Sequence, residues 1–167
     1  PPAATGLGLL LLLGPRGYLG PALAAAGVQV AFTPAAVILA QTFVASPLFL
    51  LQAARAFEVT ERRYREIALV DGLRGFSYLL HVLLPISRKS LYLAILAAWA
   101  RAIGEFGATM MFAGNLPGKT QTLPMTVYLG LQSGVGTALG AAAILLSFAA
   151  LALTIAQLLS RGEAGQG

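Results

Sequence analysis

Arg101 and Glu105 are the residues whose type and position most invite a chemical reading, because they are ionisable groups set in an otherwise apolar stretch, about 90–113. Their i, i+4 spacing puts them on one face of a helix. Burying either charge alone is costly, and mutual pairing offsets part of that cost. Ionisable groups in an apolar span are functional candidates by default. Two readings stay open: a pair that fixes helix packing at a dimer or bundle interior, or part of a translocation path or gate. Thr120, Gln121 and Thr122 follow in a polar loop and suit the rim of such a gate, contact with an external protein, or an ordinary loop. The run Ala113 to Thr120 fits a relaxed phosphate-binding loop with alanine in place of the first glycine. A genuine one follows a strand and opens a helix, so that backbone N–H groups cradle phosphate; this one follows an apolar helix. His81 stands alone, with no acidic pattern around it for a metal. The chain has no cysteine, which excludes a thiol nucleophile, a disulfide framework and a Cys-based metal site. No nucleophile–base pair stands out, so no catalysis is expected within this chain.

The elements that must position these residues are membrane helices. The chain has 167 residues, 57% hydrophobic and 10% charged, with a mean hydropathy of +0.79. A soluble domain carries about 25% charged residues. Between Arg16 and Arg55 lie 38 residues without a charge, and between Lys119 and Arg161 lie 41. Roughly 20 mainly apolar residues span a bilayer, so each run can hold a spanning helix. Soluble, disordered and disulfide-stapled classes are excluded. The expected fold is an all-α polytopic bundle, a single transmembrane domain over 1–167. Its spans fall at about 1–13, 31–54, 90–113 and 136–159, with the segment 55–89 outside the bilayer. Pro34 and Pro47 interrupt the second span, which membrane helices tolerate when neighbours satisfy the freed carbonyls. The first is short at about 1.5 Å rise per residue, and reads as a helix whose beginning has been cut away or which starts within the membrane. No basic n-region precedes it, so no signal peptide begins here. Gly130 with Gly134, and Gly136 with Gly140, are small-residue repeats of the kind that let helices pack closely.

Lysine and arginine fix the orientation. Seven of the eleven (Arg55, Arg62, Arg63, Arg65, Arg74, Arg88 and Lys89) fall in 55–89, whereas the segments 14–30 and 114–135 hold one each, Arg16 and Lys119. The positive-inside rule makes 55–89 cytoplasmic and the other two segments external. Arg161 then places the C-terminus on the cytoplasmic side. The pI near 10.1 is explained by charge beside a membrane, mixed with Glu58, Glu61, Glu66 and Asp71, without nucleic acid as a partner.

Segment 55–89 is too long for a simple connection, since helix–helix links run about 2–8 residues. Thr60 can N-cap a helix with Glu61 in its first turn. Tyr64, Ile67, Ala68 and Leu73 recur at helical spacing, and Gly72 suits a C-terminal turn. A second apolar helix, Phe76 to Leu84, is expected to stop at Pro85. On pattern alone a solvated surface helix serves equally well.

The run Glu66-Ile67-Ala68-Leu69-Val70-Asp71-Gly72, followed by Val82-Leu83-Leu84-Pro85, resembles the EAA loop of ABC importer permeases. Glu66, Ala68, Gly72, Leu84 and Pro85 match that loop in identity and spacing; Ile67 replaces its middle Ala and Val82 its Ile. The stretches Pro1 to Gly6, Ala100 to Thr109 and Phe112 to Pro124 extend the resemblance to molybdate permeases over essentially the whole chain. Such permeases normally carry a further N-terminal span and a short cytoplasmic loop ahead of the double proline, which this sequence lacks. Sulfate and tungstate permeases share much of the Gly104-Glu105-Phe106-Gly107 region and remain alternatives for the ion.

The resemblance implies an importer in a bacterial or archaeal cell (inner) membrane. It would comprise two permease copies, two cytoplasmic ATPase subunits and an extracytoplasmic oxyanion-binding protein. ATP and Mg would belong to the ATPase, with no cofactor or metal in this chain. Glu66, Ala68, Gly72, Leu84 and Pro85 would form the ATPase-coupling loop, Ala68 permitting close approach and Gly72 the turn. Arg101, Glu105, Thr120 and Gln121 are the candidates for the path or gate. A dianion would be repelled by a bare Glu105, so Arg101 or backbone N–H groups should face it, with Glu105 turned toward a partner. A non-transporting membrane subunit is the rival from another class.

Overall fold

Alanine, leucine and straight-chain polar residues dominate the chain and favour helix. The computed structural model describes residues 1–161, apart from the side chains of Ser133 and Arg161, and is all-α, with no strand among the described residues. In order run α1 (Pro2–Leu13), α2 (Gly20–Ala25), α3 (Pro34–Val70), α4 (Gly75–Tyr78), a π-helical turn (Leu79–Leu83), α5 (Leu84–Ile103), α6 (Gly107–Ala113), α7 (Leu123–Ser133) and α8 (Val135–Arg161). The segment 162–167, expected on the cytoplasmic side, lies outside the described residues.

Among the described residues, three helical segments are long and apolar enough to cross a membrane: Pro34–Val70, Gly75–Ile103 and Val135–Ser160. The 12 residues of α1 reach only about 18 Å, against about 30 Å of hydrocarbon. The 37 residues of α3 reach about 55 Å, nearly twice that thickness. Its apolar first half therefore suffices to span, without its charged second half. Along α8, Leu139, Leu146 and Leu153 are exposed while Ala138, Ala141 and Ala152 are buried. Large apolar side chains face outward and small ones inward, as helix packing in lipid requires.

The chain forms two compact units, one from Pro1–Ala45 with Ala100–Leu151, the other from Ser46–Trp99 with the described residues from Ala152 onward. In the first unit α1 packs on α6. A Cβ on Gly6 would lie 2.4 Å from the Ala108 carbonyl oxygen, so this close approach requires glycine. Ala31, Ala36, Ala40, Ala108, Phe112 and Ala113 form the core there. In the same unit Gly130 of α7 meets the Ala138 backbone of α8 in the same way, whereas Gly134, Gly136 and Gly140 face open space.

In the second unit the helix entering the charged segment has no break at Thr60. The expected N-cap is instead a mid-helix residue of α3. Its Oγ1 donates to the Ala56 carbonyl at 3.0 Å and lies 2.7 Å from Ser87 Oγ on α5. Gln52 to Arg65 holds neither glycine nor proline, and Glu58–Arg62 and Glu61–Arg65 pair at i, i+4 on the exposed face, so nothing local ends the helix. Pro85 does not stop its helix either. The π turn before it lets the Leu84 N–H reach the Leu79 carbonyl. That wider turn accommodates a residue which lacks an N–H and whose ring crowds the preceding turn.

Candidate functional site

Two regions carry the residues singled out above. In the second unit, Glu66, Ala68 and Gly72 lie at the end of α3, and Leu84 and Pro85 at the start of α5. Glu66 is exposed and Ala68 is buried. The Leu73 N–H donates to the Ala68 carbonyl at 2.9 Å, and the Gly72 N–H to the Leu69 carbonyl at 3.2 Å. Gly72 has φ +76°. This pair of bonds around a left-handed residue is a Schellman C-cap. A Cβ on Gly72 would touch nothing within 4 Å, so glycine is favoured here by its backbone conformation and not by space. After Arg74 the chain re-enters helix at Gly75, completing a hairpin. Its apolar residues Val70 and Phe76 are 88% and 72% exposed. Sequence reading missed these two; their signal was a large apolar residue on each side of a glycine turn within a charged segment.

The apolar stretch 90–113 is not one helix. It breaks between Ile103 and Gly107. Glu105 sits in that break, 2% exposed. Its Oε2 accepts from Arg101 Nη1 at 2.8 Å, and its Oε1 accepts from the Ala108 N–H in the first turn of α6 at 2.9 Å. The pair is therefore formed across a helix end, not along one helix. The carboxylate is held from both sides, while the Arg101 side chain is 38% exposed. A guanidinium carries five N–H donors, so several remain beyond the one given to Glu105. Non-helical backbone at membrane depth is tolerated only where protein covers it or where it lines a watery cavity.

The loop after α6 is pinned on itself. Thr120, 2% exposed, accepts the Leu116 N–H on its Oγ1 at 3.0 Å. The N–H groups of Lys119, Thr120 and Gln121 all donate to the Leu116 carbonyl. The amides of Leu116, Lys119, Thr120 and Gln121 are thus engaged internally, and the loop leads from helix to helix, not from strand to helix. Gln121 is half-buried. Among the described residues no group of three or more His, Asp or Glu is placed to hold a metal ion.

No protein-family model matches the chain. It is 37% identical over 151 residues to the molybdenum transport system permease protein ModB of Mycobacterium tuberculosis, covering 90% of this chain and 57% of that protein. To ModB of Escherichia coli K12 it is 31% identical over 154 residues, covering 92% and 67%. To the sulfate transport system permease protein CysW of Synechococcus elongatus it is 31% identical over 165 residues, covering 99% and 58%. The chain spans less than two thirds of the length of several of its relatives. Its long apolar helices make it a multi-pass membrane protein, and its match to the Escherichia coli protein over two thirds of that protein's length shows that the chain belongs to the family of molybdenum transport system permease proteins.

Proposed function

We propose that this chain is the membrane-spanning permease subunit of an ATP-driven importer that carries an oxyanion, molybdate foremost, into the cytoplasm. The carrying observation is the hairpin of the second unit, which ends α3 in a glycine turn and leaves Glu66, Val70 and Phe76 exposed. Exposed apolar residues on a charged segment outside the hydrocarbon invite a protein partner. A separate cytoplasmic ATPase supplies that partner, with Glu66 as the acceptor that fixes the loop. ATP and Mg stay on the ATPase chain.

The excess of Lys and Arg in 55–89 puts the hairpin and the C-terminus on the cytoplasmic side. The loop at Thr120 and Gln121 then faces outward, where an oxyanion-binding protein delivers cargo. The chain 1–167 works as one permease domain beside a second copy. Arg101 is the cargo contact on the path. A guanidinium turned to lipid is costly, so its exposed part faces water or protein, and Glu105, already bonded twice, holds it in place. The likeness to a sulfate permease keeps sulfate as the second reading for cargo.

The test is ATP hydrolysis in proteoliposomes holding the permease, its ATPase and its binding protein, with molybdate, tungstate or sulfate supplied in turn. Stimulation by molybdate or tungstate with sulfate inert is expected. Stimulation by sulfate alone moves the cargo to sulfate, and failure of any ATPase to bind overturns the importer.

A further inference from the structure

The hydroxyls of Thr60 and Ser87 meet at 2.7 Å, buried, and join the two helices that lead into and out of the hairpin. Thr60 is 6% and Ser87 2% exposed. Each hydroxyl carries one proton. Thr60 donates to the Ala56 carbonyl at 3.0 Å, which leaves its oxygen to accept from Ser87. Ser87 Oγ also lies 3.4 Å from that same carbonyl. Each of these contacts between the two helices passes through Ser87 Oγ.

Thr60 precedes Gly72 by 12 residues, and Ser87 follows Gly75 by 12. The contact thus closes the base of a hairpin with arms of equal residue count, whose other end is the Gly72–Gly75 turn. An open pair of arms would splay when pushed at the tip, whereas a pair bonded at its base moves as one body.

We propose that Thr60 and Ser87 are positioning residues, a hydroxyl latch that makes the hairpin a single lever between the ATPase and the membrane helices. The proposal rests on the importer reading above. Without the latch the ATPase still binds and hydrolyses ATP, but part of its motion is lost in splaying the arms.

The measurement is ATP hydrolysed per molybdate ion imported, in proteoliposomes of the assembled complex. Ser87→Ala is expected to raise that ratio about fivefold, the scale of one lost hydrogen bond. Thr60→Val raises it less, because Ser87 can still donate to Ala56. The double variant matches Ser87→Ala, and Thr60→Ser keeps the wild-type ratio. An unchanged ratio in Ser87→Ala and in the double variant overturns the latch. A wild-type complex that does not couple ATP to import instead overturns the importer, before any variant is read.

Should Ser87→Ala fail to assemble, Thr60→Cys with Ser87→Cys decides the matter. The chain has no other cysteine. Oxidation should join the arms and restore coupling that reduction loosens. Equal ratios in the two states, or no disulfide at all, contradict the latch.

Discussion

Glu66 on the hairpin and Glu105 at the helix break are carboxylates of one chain, yet Glu66 is exposed while Glu105 is 2% exposed with both oxygens bonded. The surroundings explain the difference. The hairpin continues the charged half of α3, whose ion pairs at Glu58–Arg62 and Glu61–Arg65 are exposed too. The break at 104–106 interrupts an apolar stretch, where the protein itself must supply each donor. An exposed carboxylate stays available to another chain. A doubly bonded one is committed internally, to Arg101 and the Ala108 N–H.

The contrast can be broken most severely at Glu105. Glu105→Ala leaves the partly exposed Arg101 and the Ala108 N–H without their acceptor, and should cost about 2–3 kcal/mol, the scale for a buried donor left unpaired. Thermal unfolding of the detergent-solubilised chain should show a large fall in Tm, with Glu105→Gln falling less because its amide oxygen still accepts from Ala108. Glu66→Ala should leave the Tm nearly unchanged in the same assay. Equal losses at the two sites would erase the distinction.

Gly6→Leu comes next, since it drives a side chain into the Ala108 backbone. Overpacking of this kind costs about 1–3 kcal/mol, read as a lower Tm and a smaller membrane-inserted yield. At the hairpin, Gly72→Ala should cost about 1–2 kcal/mol through its left-handed backbone alone. Gly72→Asn should cost less, because asparagine adopts that conformation more readily and nothing nearby obstructs a side chain. Smallest of all is Arg62→Ala. Its exposed partner Glu58 makes the pair worth about 0.5 kcal/mol or less, and raised salt should not widen the gap to wild type.

Much of this architecture is written in the order of residues. Charge-free runs longer than a bilayer needs announce the long helices, and the spacing of Arg101 and Glu105 announces their pairing but not the helix end across which it forms. Gly72 reads as a turn because few other residues accept a positive φ. Other features depend on contacts that no local window contains. A threonine hydroxyl can bond an N–H ahead or the carbonyl four residues back, and Thr60 takes the second course beside Ser87, 27 residues away. Pro85 looks like a stop, yet the π turn before it carries the helix through. The apolar pattern of 90–113 is the same for a whole helix or a broken one. The break becomes visible only when Glu105 is seen bonding the first turn of α6.

ATP-driven molybdate uptake into sealed proteoliposomes, compared between wild type, Glu66→Ala and Gly72→Val at equal amounts of inserted permease, tests the central claim most directly. Wild type should take up molybdate and both hairpin variants should lose uptake, with membrane insertion intact and the ATPase uncoupled. Uptake that continues unchanged in both variants would contradict that claim, since the hairpin would then not be where ATP hydrolysis reaches the membrane.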